Sequence, residues 1–204
     1  MGYDCGMPAI GITGGISTGK TAFCECLKEI CPTAKFFDAD KAAREFVVDP
    51  EVRQELVSEF GPETYFPGGD LNRERLRAII FQDAAKKSAL EQILHPRIRR
   101  QWSAEAEKHR NAPEFFFADI PLLYETGGET LCDYVVVVAC SRETQFARLL
   151  HRGRINRAIA QGMIDSQMSL TEKMKRADHV VWNNGERSVL AEQAKLLLDL
   201  WRVK

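Results

Sequence analysis

The chain has 204 residues, 45% of them hydrophobic, with 28 Lys plus Arg against 29 Asp plus Glu and a net charge of −1. This length and composition fit a globular domain with a small insertion, and the charge balance excludes a chain whose main partner is a nucleic-acid backbone or an anionic membrane. No apolar run approaches the ~20 residues that cross a bilayer, the N-terminus lacks a cationic secretory start, and the six cysteines show no C-x-x-C spacing, so a reduced, cytoplasmic protein is expected.

Residues 9–13 read as a short buried strand. A glycine-rich turn follows at once, then a helix from about Lys20 with Phe23, Leu27 and Ile30 on one face. Residues 34–37 read as a second strand, ending in Asp38-Ala39-Asp40. From Lys41 to about Ala112 only helices are predicted. Val52, Leu56, Val57 and Phe60 share one helical face, and Leu76, Ile79 and Ile80 continue the pattern after the turn Pro67-Gly68-Gly69-Asp70. Leu90, Ile93 and Leu94 lead to His95-Pro96, where the proline is predicted to open a new helix.

Residues 115–120 and 134–140 are continuous apolar runs of the kind found in strands covered on both faces. A helix through Phe146, Leu149 and Leu150 runs into a cationic stretch with Arg148, Arg152, Arg154 and Arg157. Residues 179–182 form the last predicted strand and Asn183-Asn184-Gly185 a turn. A final helix from Ser188 is predicted to bury Leu190, Ala194, Leu197 and Trp201. The alternation of strands and helices predicts an α/β fold with a parallel sheet flanked by helices. The helical stretch between core strands is where such folds carry an acceptor-binding insertion.

The strongest chemical signal is Gly14-Gly15-Ile16-Ser17-Thr18-Gly19-Lys20-Thr21, which satisfies G-x-x-x-x-G-K-[ST] between a predicted strand and a predicted helix. Glycines let such a loop turn its N–H groups toward phosphate oxygens, and a helix start adds partial positive charge. Gly15, Ile16, Ser17, Thr18, Gly19, Lys20, Thr21 and Ala22 are therefore the candidate ATP-binding residues. Lys20 would reach the β- and γ-phosphates, and the Thr21 hydroxyl would ligate Mg²⁺. The Asn-Lys-x-Asp motif of GTPases and the Leu-Ser-Gly-Gly-Gln signature of transporter ATPases are both absent, which favours a small-molecule kinase whose arginines close as a lid. A solvated helix face is the competing reading of those arginines.

Asp38 and Asp40, at a strand end, are expected to face the nucleotide cleft, since open α/β sheets bind ligands beyond the carboxyl ends of their strands. One carboxylate would deprotonate an acceptor hydroxyl and another would support the metal; an Asp here also suits a helix N-cap. Asp119, at the end of a Phe-rich strand, is a second candidate for Mg²⁺, with a structural hydrogen bond as the alternative.

These blocks, together with Ala43-Arg44, Leu71-Asn72-Arg73, His95-Pro96-Arg97-Ile98-Arg99, Asp119-Ile120-Pro121-Leu122-Leu123-Tyr124-Glu125, Glu143-Thr144-Gln145, Gln167 and Asn183-Asn184-Gly185, resemble dephospho-coenzyme A kinase, in that family's order and over nearly the whole chain. The resemblance implies a P-loop kinase core over 8–40 and 113–204, a lid at about 151–168, and a helical domain for the coenzyme A acceptor over 41–112. It implies transfer of the γ-phosphoryl group of ATP to the ribose 3′-hydroxyl of dephospho-coenzyme A. Asp40 would be the general base, although the residues themselves leave the order of Asp38 and Asp40 open. Lys20 and the lid residue Arg152 would stabilise the transferring group. Asp38, Arg44, Arg73, His95 and Arg99 would serve the acceptor, with a joint between helices as the alternative for His95. Asn183, Asn184 and Gly185 would lie near adenine. Another small-molecule kinase, or an ATP-binding regulator without catalysis, is the alternative function. No nucleic-acid or membrane partner is expected, and a monomer is expected with a homo-oligomer left open. Ser17 stands where the family usually has glycine, which is tolerated provided its φ is not positive, and Gly153 follows Arg152 where an Asp is common.

Overall fold

The computed structural model describes residues 7–110, 112–153 and 155–202. Five strands, β1 (Ala9–Gly14), β2 (Lys35–Asp38), β3 (Phe116–Asp119), β4 (Tyr134–Ala139) and β5 (His179–Trp182), form one sheet in the order β2-β3-β1-β4-β5. It is a parallel sheet flanked by helices. Central strands of such a sheet are covered on both faces, which is why β1, β3 and β4 are apolar without alternation. Ile10, Ile12, Phe117, Val136 and Val138 are almost wholly buried.

Two helices cover one core region, α1 (Lys20–Ile30) and the C-terminal helix α9 (Arg187–Arg202). Phe23 and Leu27 from α1 and Leu190, Ala194, Leu198 and Trp201 from α9 join Ile10, Ile12 and Phe117 in one cluster. Leu198, rather than the predicted Leu197, is the fully buried residue of the last turns; Leu197 packs at the edge of the cluster.

The chain divides into two compact units, Met1–Phe37 with Ala104–Lys204, and Asp38–Ser103. The second contains α2 (Ala39–Phe46), α3 (Pro50–Phe60), α4 (Arg73–Gln82) and most of α5 (Ala84–His109). Its core is Val47, Val52, Leu56, Phe60, Tyr65 and Leu76. Side chains cap the helix starts: Asp38 caps α2, Asp49 before Pro50 caps α3, Asn72 caps α4, and Asp83 accepts from the N–H groups of Ala85 and Lys86 at the start of α5.

Pro96 does not open a helix. It lies inside the 26-residue α5, where it removes one backbone donor and crowds the preceding turn. The helix continues because Pro96 is exposed, so nearby carbonyls reach water, and because the Arg97 guanidinium donates to the Ile93 carbonyl at 2.7 Å.

The first unit also holds α6 (Arg142–Gly153), α7 (Arg157–Asp165) and α8 (Leu170–Arg176). Phe146, Leu149 and Ala160 bury a small core of their own, with Ile16 packed against it. Arg154, part of the cationic stretch, lies outside the described residues.

Candidate active site

The phosphate loop leaves β1 after Gly14 and enters α1 at Lys20. Two of its glycines are required by space. A side chain at Gly14 would collide with the Val138 carbonyl, and one at Gly19, whose φ is 97°, would collide with Asn183. Ser17 adopts φ 58°, alone among the described non-glycine residues in having a positive φ. The condition under which serine is expected to be tolerated is thus not met: Ser17 carries a left-handed backbone cost of about 1–2 kcal/mol and is held in place by the loop's surroundings.

Those surroundings are side chains from distant segments. The Ile16 N–H donates to Gln167 Oε1 at 2.9 Å, and Gln145 Nε2 donates to the Ile16 carbonyl at 2.7 Å. The Thr18 carbonyl accepts from Arg148 Nη1 at 3.0 Å and from Asn183 Nδ2 at 2.9 Å. Thr18 is itself buried, with its hydroxyl donating to the Gly15 carbonyl at 2.9 Å. Asn183 is buried as a brace of the loop, while Asn184 Oδ1 accepts from the Ser141 N–H at 2.8 Å and Gly185 is exposed.

Because β3 lies beside β1, with Asp119 in register with Ile12, its carboxylate comes to the foot of the loop. There it forms an ion pair with Lys20 and accepts from Cys24 Sγ at 3.6 Å. Burial, reinforced by the Asp119 charge, pushes the Cys24 thiol well above its usual range, so it stays a neutral donor. Thr21 is exposed and Ala22 half-buried in the first turn of α1. Arg152 is exposed in the last turn of α6. No group of three or more His, Cys, Asp or Glu that could hold a metal ion occurs among the described residues.

The remaining candidates stand in the second unit. Asp38 Oδ1 accepts from the Lys41 N–H at 2.8 Å, so this carboxylate is engaged as the cap of α2. Asp40 is exposed in the first turn of that helix and Arg44 exposed in its last. Arg73 opens α4, exposed, while His95 and Arg99 lie on α5, His95 half-buried and Arg99 exposed. Burial holds the His95 imidazole below its ordinary value, against the opposing pull of Glu91.

A family model described as dephospho-CoA kinase matches residues 8–188. The chain belongs to the dephospho-CoA kinase family. A dephospho-CoA kinase of Bacillus licheniformis is 38% identical over 194 residues, covering 94% of this chain and 96% of that protein. One from Fusobacterium nucleatum is 36% identical over 175 residues, covering 86% and 89%. Among solved structures, a Thermus thermophilus protein superposes with a TM-score of 0.76 at 31% identity, covering 94% of this chain and 96% of that one. A dephospho-CoA kinase from Campylobacter jejuni superposes with a TM-score of 0.66 at 25% identity, covering 95% and 96%. The fold is that of the P-loop kinases and the chain is a transferase of the kinase class.

Lys173 is the site residue that sequence reasoning missed. Its side chain is fully buried, donating to the carbonyls of Pro121 at 2.8 Å and Gly14 at 3.3 Å and pairing with Glu125 at 3.0 Å. Glu125 also accepts from the Met168 N–H at 2.9 Å. Desolvation lowers the Lys173 pKa, with Glu125 acting in the opposite direction and Lys20 adding to the lowering. This cation fixes the root of the phosphate loop to the segment after Asp119.

Proposed function

We propose that this chain transfers the γ-phosphoryl group of ATP to the ribose 3′-hydroxyl of dephospho-CoA, giving CoA and ADP, with the residue roles that follow. The observation that carries the reading is the braced loop Gly14–Thr21, with Lys20 and Asp119 at its foot, in a chain of the dephospho-CoA kinase family. Loop N–H groups between Gly15 and Ala22 bind the phosphates, apart from those of Ile16 and Thr18, which donate to Gln167 and to the Gly15 carbonyl, and the start of α1 favours the phosphate charge. Lys20 exchanges Asp119 for the β- and γ-phosphate oxygens as they arrive. Its charge then opposes the charge that builds on the transferring group.

The hydroxyl of Thr21 and the carboxylate of Asp119 are hard oxygen donors of the kind that suit Mg²⁺, and they are the residues to hold it together with the phosphates. When bound, Mg²⁺ neutralises phosphate charge. Arg152 closes over the triphosphate from the last turn of α6. Asp40 accepts the proton of the 3′-hydroxyl, and Asp38, committed to capping α2, fixes the backbone that presents it. Arg44, Arg73, His95 and Arg99 contact the acceptor, and Asn184 and Gly185 border adenine. The helical residues 41–112 form the acceptor domain, and 151–168 the lid.

No helix among the described residues is long and apolar enough to cross a membrane, and Cys24, Cys26, Cys31, Cys132 and Cys140 are free thiols. The free thiols support placing the enzyme in the cytoplasm. The test of function is ADP formation from Mg²⁺-ATP with dephospho-CoA, with each of Lys20→Ala, Asp40→Asn and Arg152→Ala compared with wild type. Undiminished turnover in any of the three removes that residue from the mechanism.

A further inference from the structure

Ser17 is the one non-glycine residue among those described that holds a left-handed backbone, and both its neighbours are fixed from outside the loop. Ile16 is held at its N–H by Gln167 and at its carbonyl by Gln145; Thr18 is held at its carbonyl by Arg148 and Asn183. Gln145 and Arg148 stand three residues apart on α6, so they share a face. Gln145 is buried, 4% exposed, and Gln167 follows the end of α7. A serine at positive φ persists only where its surroundings over-determine it. Here those surroundings come from the two ends of the segment that carries Arg152 and Arg157.

We propose that Gln145, Arg148 and Gln167 are positioning residues for nucleotide binding, a clamp that acts through the main chain of Ile16 and Thr18 to keep the phosphate loop turned at Ser17. The proposal rests on reading Gly14–Thr21 as the nucleotide loop. With the clamp intact, the loop N–H groups are arranged before phosphate arrives, and binding pays no cost of turning Ser17. With it broken, Ser17 relaxes to negative φ and each binding event must restore the turn. The same hydrogen bonds fasten both ends of the 145–167 segment to one residue, Ile16, so that segment and loop are coupled through the two peptide groups that flank its Cα.

The coupling between clamp and backbone is measurable as a double-mutant cycle. Mg²⁺-ADP binding to the full chain is followed by calorimetry, which needs no acceptor. Gln167→Leu is expected to weaken ADP binding about tenfold. In a Ser17→Gly background the same substitution is expected to cost only about twofold, because the left-handed turn then needs no external support. Gln145→Met is expected to give the same pattern and serves if the first variant melts below the assay temperature. Equal losses in both backgrounds, as a purely structural role would give, overturn the clamp, and so does the absence of any loss. A wild-type chain that binds no ADP overturns the nucleotide reading beneath the proposal, and the proposal with it, which sets that failure apart from failure of the clamp alone.

Discussion

Lys20 and Asp119 form an ion pair at the foot of the phosphate loop, with side chains only 14% and 16% exposed, and the second Asp119 oxygen accepts from the Cys24 thiol. The lysine that a phosphate would claim is thus already matched to a carboxylate that is a candidate metal ligand. Partial burial strengthens the pair relative to a surface one. On the proposed role of Lys20, arriving phosphate oxygens replace a partner instead of meeting a solvated ammonium.

Lys20→Ala removes the cation and strips Asp119 of its cationic partner, leaving the Cys24 thiol as a donor to it. Turnover is expected to fall by about two to three orders of magnitude, the usual loss when one preorganised charge donor is deleted. Steady-state ADP release checks this, and near-normal turnover contradicts it.

Asp38 and Asp40 are separated by a test that uses capping chemistry. Asn caps a helix about as well as Asp, whereas Ala loses about 1 kcal/mol. Asp38→Asn is therefore expected to keep both stability and activity, and Asp38→Ala to lower the urea midpoint. Asp40→Asn is expected to lower kcat about a hundredfold or more with little change in ATP affinity. Exchange of the two phenotypes would exchange the two roles.

Much of the local geometry of the candidate site was legible from contiguous sequence. The phosphate loop is a contiguous motif between a strand and a helix, and an Asp cap at the end of β2 is suggested by position, although only the structure assigns it to Asp38. What stayed hidden depends on contacts between distant segments. Lys173 lies in Leu-Thr-Glu-Lys-Met-Lys-Arg, which reads as a solvated helix, yet the fold turns that one lysine fully inward. The left-handed Ser17 is held by side chains 129 and 151 positions from Ile16, a relation no local pattern carries. Pro96 misled for the opposite reason: its local signal is strong, but an exposed position and the Arg97 guanidinium let α5 run through it.

Lys173 is expected to support stability and geometry together. Lys173→Ala empties a buried site and strips Glu125 of its cationic partner, at a cost of about 3 kcal/mol in chemical denaturation. Lys173→Met fills the same space and is expected to cost less, since a well-packed apolar replacement is often nearly neutral. A larger loss for Lys173→Met than for Lys173→Ala would contradict this account of the site.

His95 gives the stability an acid-side slope. Burial lowers its pKa in the folded chain below the ordinary 6.5, so between those two values the unfolded chain binds more protons. Stability from this group is present above pH 6.5 and is lost as the pH falls toward the folded value. His95→Gln is expected to flatten the slope of the denaturation free energy just below pH 6.5. An unaltered slope in the variant would assign that dependence to other groups.

The central claim is phosphoryl transfer to one acceptor. The most direct measurement is Mg²⁺-dependent ADP formation with dephospho-CoA, AMP, adenosine or no acceptor, with the mass and phosphorylation position of the product determined. The account predicts turnover with dephospho-CoA far above the other three, and a product that is CoA, phosphorylated at the ribose 3′-hydroxyl. Turnover with another acceptor in its place, or ATP binding without transfer to any of them, would contradict it.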